Sequence, residues 1–183
     1  MNMIIKKILN NNVVITTNYQ MEEIIVMGKG LAYGKQAGDN IDMNKINKTF
    51  EVSLKPSQRK MINMLKDIPL EYMEISDCVI KEAKVDLEVD DSLYISLTDH
   101  IHTSIERYKE GVYLKNHMLF EIKNFYPKEF ELGLLTLKLI KEKYGINMEE
   151  DEAAFLALHI VSSEVGRNIS DIYEMTNFIL EII

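Results

Sequence analysis

Up to about residue 50 the apolar positions fall in short runs of strand composition: Ile4–Leu9, Val13–Thr17, Ile24–Met27 and Thr49–Leu54. The runs are rich in β-branched residues and are punctuated by Asn18, Gly28, Gly30, Gly34, Gly38 and Asn40, the pattern of strands joined by tight turns. Asn10-Asn11-Asn12 separates the first two runs, and asparagine is among the few non-glycine residues that tolerate φ > 0, so the triplet reads as a hairpin turn. These positions predict a small antiparallel β-domain. Four short strands give it a thin core, which gains from pairing with a second copy, so a homodimer is expected.

Past Pro56-Ser57, where a linker is expected, the apolar spacing becomes helical. Met61, Leu65 and Ile68 form one stripe, and Met73, Val79 and Ile80 a second. Asp91-Ser92 can cap a helix carrying Leu93, Leu97, Ile101, Ile105 and Tyr108, which stops at Gly111. Asn116 can cap another, ending before Pro127. Leu132, Leu135, Leu139 and Ile140 mark a helix that stops at Gly145, and Phe155, Leu158, Ile160 and Val161 one that stops near Gly166. The fold class expected is therefore α+β in two domains, a small antiparallel sheet followed by an all-α bundle. Ile172, Met175, Ile179, Ile182 and Ile183 continue an amphipathic pattern to the last residue, as expected for the start of a truncated second helical module.

Charge sharpens this division. The 183-residue chain carries a net charge of −8, but residues 1–55 hold seven lysines against five acids, a local +2 that leaves −10 for the rest. A weakly positive module rich in amides and glycines can bind a polyanion mainly by shape and hydrogen bonds, with a modest contribution from released counterions. No apolar stretch approaches the ~20 residues that span a bilayer, and the N-terminus lacks the apolar core of a signal peptide, so a cytoplasmic location without membrane insertion is expected. The single cysteine, Cys78, excludes an internal disulfide; its spacing from Ile75 and Val79 predicts a packed thiol.

Candidate chemistry is sparse. His100 and His102 lie about 200° apart around a helix and cannot chelate one ion, and His159 has no histidine one turn away, so no metal site or cofactor is expected. There is no nucleophile elbow, and Gly28-x-Gly30-x-x-x-Gly34 matches neither the dinucleotide fingerprint nor a P-loop, so no catalytic residue is assigned. His100 and His159 each sit on the shoulder of an apolar stripe. Such histidines are ordinarily packing residues. The sharper reading makes them phosphoacceptors, since a neutral imidazole is nucleophilic and a phosphoryl group would bring about −1.5 to −2 charges to the edge of a bundle.

Three segments make the chain recognisable: Lys7-Ile8-Leu9-Asn10-Asn11-Asn12-Val13, Val26-Met27-Gly28-Lys29-Gly30-Leu31-Ala32-Tyr33, and Gly38-Asp39-x-Ile41-Asp42. Together they resemble the co-antiterminator RNA-binding domain of the BglG/SacY/LicT family of bacterial transcriptional antiterminators. Leu97-Thr98-Asp99-His100-Ile101 and Ala154-Phe155-Leu156-Ala157-Leu158-His159 resemble the two phosphorylatable motifs of that family's first phosphotransferase-regulation domain. The resemblance implies an RNA-binding domain over 1–55, a linker and helix start over 56–64, a regulation domain over 65–170 and the start of a second over 171–183.

It further implies a homodimer that grips a leader-mRNA hairpin overlapping a terminator. Control would come through phosphorylation of His100 and His159 by the phosphocarrier and sugar-specific transporter components of the phosphotransferase system. Lys7, Asn10, Asn12, Gly28, Lys29 and Tyr33 are the implied RNA contacts, with Gly30 shaping their loop. Lys29 and Tyr33 stand where relatives often have arginine and phenylalanine. His102 and His117 match no acceptor position, while Asp99 and Arg107 are candidates to orient or pair with a phosphorylated His100. Two other readings fit the residues less well. A histidine phosphotransfer protein would leave the asparagine-glycine module unexplained, and a DNA-binding regulator would need helical periodicity that residues 1–55 lack.

Overall fold

The computed structural model describes residues 3–51, 68–90, 92–166, 168–172 and 174. They divide into two compact units, Met1–Leu70 and Glu71–Ile183.

The first unit is a four-stranded antiparallel meander: β1 (Lys7–Asn10), β2 (Val13–Thr17), β3 (Glu23–Met27) and β4 (Lys48–Glu51), in that spatial order. The register aligns Val14 with Val26 and Thr16 with Ile24, so these side chains share one face. With Ile5, Leu31, Ala32 and Ile41 they form a buried cluster, against which Met3, Ile8 and Ile46 pack. The chain before β1 is held by backbone hydrogen bonds to the 38–41 segment, including Ile5 N to Asp39 O at 2.9 Å and Ile41 N to Met3 O at 2.8 Å. A register irregularity between Ile8 and Asn10 closes the first hairpin at the asparagine triplet.

The second unit contains five α-helices among the described residues: α1 (Leu70–Asp86), α2 (Ser92–Lys109), α3 (Leu119–Phe125), α4 (Pro127–Tyr144) and α5 (Glu150–Val165). α5 is the central element, packing on α2, α3 and α4. Its alanines and leucines, Ala153, Ala154, Leu156, Ala157 and Leu158, are buried almost completely, so this helix is apolar nearly all round. Gly133 lets α4 approach closely; a Cβ there would stand 2.2 Å from the Ala153 carbonyl oxygen. Leu93, Leu97, Ile101 and Ile105 form the wholly buried stripe of α2. α4 and α5 both end on left-handed glycines, Gly145 at φ 70° and Gly166 at φ 64°, as their stop signals predicted.

Some local details differ from the sequence reading. At the start of α2, Asp90 Oδ1 accepts from Ser92 N at 2.7 Å and from Ser163 Oγ at 3.2 Å, tying this end of α2 to the C-terminal end of α5. Asn116 acts three residues ahead of α3, accepting from Met118 N at 2.9 Å while its own N–H donates to Asp151 at 2.8 Å. Cys78 is exposed rather than packed, because α1 turns Ile75, Val79 and Ile80 inward and leaves position 78 outside. The 56–64 linker, the 61–65 part of the first helical stripe, Asp91 and the amphipathic pattern from 175 onward lie outside the described residues.

Candidate functional site

In the β unit the asparagine turn and the glycine loop are one construction. Gly28 N donates to Asn12 O at 2.9 Å, Gly30 N to the Asn12 side-chain Oδ1 at 2.8 Å, and Ala32 N to Asn11 O at 2.9 Å. The Asn10 side chain in turn accepts from Asn12 N at 2.8 Å, closing the turn. Gly28 is required by contact, since a Cβ would lie 1.7 Å from Lys45 O; Gly30 is required by its φ of +62°. The 43–47 segment completes the loop: Asn47 N donates to Met27 O at 2.8 Å, and Asn47 Oδ1 accepts from Lys29 N at 3.4 Å.

The structure thus brings Asn10, Asn12, Gly28, Lys29 and Tyr33 together on two tied loops. Lys29 is exposed and Tyr33 is 76% exposed, a ring held out to solvent. Lys7 stands apart from this hydrogen-bond network, exposed at the start of the edge strand β1. Asn10 and Asn12 each give an oxygen to the fold, whereas the Asn11 side chain is exposed and its backbone carbonyl does the tying. Among the charged and aromatic groups of these loops, Lys29 and Tyr33 are the ones presented outward, suited to a phosphate and to the face of a base.

In the helical unit α2 and α5 run antiparallel, with Asp90 beside Ser163, His100 beside His159 and Arg107 beside Glu152. The two imidazole centroids are 4.9 Å apart, and Phe155 lies 6.0 Å from the His100 ring. His100 Nε2 is 2.9 Å from Glu152 Oε2, and Arg107 donates to Glu152 Oε1 at 2.9 Å. Glu152 lies in the first turn of α5, where the helix dipole favours a carboxylate. Burial on its own raises the Glu152 carboxyl, but the hydrogen bonds and charges of His100 and Arg107 outweigh it and hold the group below its usual value. Burial, with the nearby His100 charge adding, pushes His159 down to about 3, so this imidazole is neutral at physiological pH.

The sequence reading placed His100 and His159 but missed Glu152. Its signal was present, because Arg107 lies seven residues after His100 and Glu152 seven before His159, and a separation of two helical turns keeps each pair on one face. Among the other histidines, His102 packs its ring 5.6 Å from Tyr72, and His117 is exposed. The Asp99 backbone carbonyl accepts from Thr103 Oγ1 at 2.9 Å, and Arg107 reaches Glu152 rather than His100 itself.

The structure is thus a small β unit with two hydrogen-bonded loops and a helical unit in which His100 and His159 face each other. Comparison with known proteins gives the family. The CAT RNA binding domain model matches residues 3–59 and the PRD domain model residues 73–163. The chain is 42% identical over 98% of its length to transcription antiterminator LicT of Bacillus subtilis, and 39% identical over 98% to the beta-glucoside operon antiterminator of Dickeya chrysanthemi. It spans 65% and 64% of those proteins' lengths. The crystal structure of GlcT CAT-PRDI superposes with a TM-score of 0.73 at 32% identity, covering 90% of this chain and 99% of that one. The chain belongs to the family of transcription antiterminators built from a CAT RNA-binding domain and a PRD domain.

Proposed function

We propose that this chain acts in the cytoplasm as a homodimeric antiterminator. Its β unit binds a leader-mRNA hairpin that overlaps a terminator, and holding the hairpin keeps the terminator from forming. Phosphorylation of His100 and His159 by the phosphocarrier and sugar-specific transporter proteins of the phosphotransferase system controls that binding. The domain limits are taken as 1–55 for RNA binding, 56–64 for the connection, 65–170 for regulation, and 171–183 for the start of a second regulation domain.

The observation that carries this reading is the pair of hydrogen-bonded loops presenting Lys29 and Tyr33 from a rigid turn. Donors and acceptors fixed in place lose little entropy on binding, so a weakly charged surface can still discriminate a distorted A-form helix by its shape and 2′-hydroxyls. Asn12 is a contact by its amide N–H2 end, because its oxygen is taken by Gly30 N. Asn10 and Gly28 contribute the turn and loop backbone, Lys7 and Lys29 meet phosphates, and Tyr33 stacks. The protein is a regulator rather than an enzyme, its histidines being modified by other proteins.

The test is equilibrium binding of the full chain to a leader hairpin. The hairpin of a β-glucoside operon is the first probe, since the Dickeya relative is named for such an operon. Lys29→Ala should weaken binding while the melting profile stays close to wild type, and Asn12→Ala, which also removes the acceptor of Gly30 N, should weaken binding and lower the melting temperature. Binding unaffected by both substitutions would remove the two loops from the interface.

A further inference from the structure

His100 meets a carboxylate, and the carboxylate decides which of its nitrogens can react. Glu152 is 11% exposed at its side chain and His100 13%, so their 2.9 Å contact is largely sheltered from competing water. An ionised carboxylate can only accept a hydrogen bond, so the proton of this contact resides on Nε2. In the neutral form of the ring the lone pair is then on Nδ1. Among the described residues Nδ1 makes no hydrogen bond, while the face of the ring is covered by His159 at 4.9 Å. Glu152 is itself fixed from the other side by Arg107, which is 25% exposed at its side chain. The chain Arg107–Glu152–His100 therefore has the order of a half-buried orienting charge, a carboxylate and an imidazole.

We propose that Glu152, held by Arg107, is the positioning residue that makes His100 a phosphoryl acceptor at Nδ1. The proposal rests on the reading of His100 as a regulatory phosphorylation site and specifies how that site works. The donor is a protein carrying a phosphohistidine. In the transfer the His100 Nδ1 lone pair forms the new N–P bond as the donor's N–P bond breaks. The donor nitrogen keeps that electron pair and takes a proton from solvent. His100 retains its Nε2 proton and becomes a phosphorylated imidazolium, whose positive ring lies against the Glu152 carboxylate. A negative charge already in place where positive charge develops favours the step, because it needs no reorganisation at the moment of transfer. His159 has no such carboxylate contact among the described residues, which makes His100 the better acceptor of the two.

The test uses the full chain labelled with 15N at its histidines. Before phosphorylation, the 15N shifts of the neutral His100 ring should show Nε2 protonated and Nδ1 bare. After incubation with the phosphocarrier, the transporter component and phosphoenolpyruvate, the phosphoryl group on His100 should be on Nδ1, read from 15N and 31P shifts. Glu152→Gln should slow phosphate uptake at His100 about 10–100-fold. Glu152→Asp, which restores the charge, should recover part of that rate. The wild-type measurements need no variant to fold. A phosphoryl group on Nε2, or an Nδ1-protonated ring in the wild type, overturns the assignment of Glu152 while leaving the regulatory reading intact. No phosphate on His100 from any donor overturns the regulatory reading and this proposal with it.

Discussion

Single residues carry two separable kinds of constraint. Gly28 answers to steric contact and Gly30 to backbone conformation, so alanine should act differently at each. Gly28→Ala would drive its Cβ into Lys45 O and is expected to cost about 1–3 kcal/mol, whereas Gly30→Ala asks an L-residue to hold φ +62° and should cost about 1–2 kcal/mol. Thermal unfolding of the two variants checks the order. Tyr33 carries no such constraint: 76% exposed, it should be replaceable by alanine without loss of stability. If it stacks on a base, Tyr33→Ala should cost about 1–3 kcal/mol of RNA affinity, measured by titration with the hairpin.

His159 makes the helical unit sensitive to acid. Its folded-state value is about 3, below the ordinary 6.5, so the native state binds the proton more weakly than the unfolded chain does. Its contribution is fully present above about pH 6.5 and is lost as pH falls from there toward 3. Glu152, held below its usual value, loses stability in the same direction. Glu164, pushed up to about 7 by burial and by its neighbour Glu129, works oppositely, disfavouring the fold as pH rises toward 7, but it is partly exposed and the smaller influence. The helical unit should therefore melt at progressively lower temperature between pH 6.5 and 4. His159→Gln should flatten that dependence, and an unchanged slope would exclude His159 as its source.

At the scale of elements, the parts legible in the sequence were those encoded locally. β2 and β3 follow their β-branched runs, the asparagine triplet does turn the chain, and the helix ends at Gly145 and Gly166 are where the stop signals put them. What was not legible depends on which face of an element meets which neighbour. Cys78 has helical spacing from Ile75 and Val79 yet faces outward, because the packing of α1 rather than the spacing selects the buried stripe. Likewise the sequence could nominate Asn10 and Asn12 as readers but could not show that both lend their oxygens to the fold. Glu152 was hidden for a related reason, since its partners His100 and Arg107 lie 52 and 45 residues away on another helix. The α4–α5 contact makes a direct prediction. Gly133→Ala places a Cβ 2.2 Å from Ala153 O and should destabilise the helical unit by about 1–3 kcal/mol, visible as a lower denaturant midpoint with an unchanged slope.

For the whole molecule, the two units separate tasks that conflict chemically. RNA binding wants amides, lysines and an aromatic ring on a mildly positive module, which residues 1–55 supply. Under the proposed control by phosphorylation, His100 occupies a sheltered place between packed helices, where an added charge would act on the packing. Because the β unit carries few net charges, its affinity for the hairpin should fall less steeply with salt than that of a strongly basic RNA-binding protein. The central claim is that the chain prevents termination and that phosphorylation withdraws this activity. The most direct measurement is transcription in vitro through a leader template with an intact terminator, comparing the chain before and after treatment with the phosphotransferase proteins. The account predicts more read-through with the untreated chain and a return toward the basal level after phosphorylation, with His100→Ala/His159→Ala insensitive to the treatment. Read-through that the untreated chain leaves at its basal level, on templates whose hairpin it binds, would contradict it.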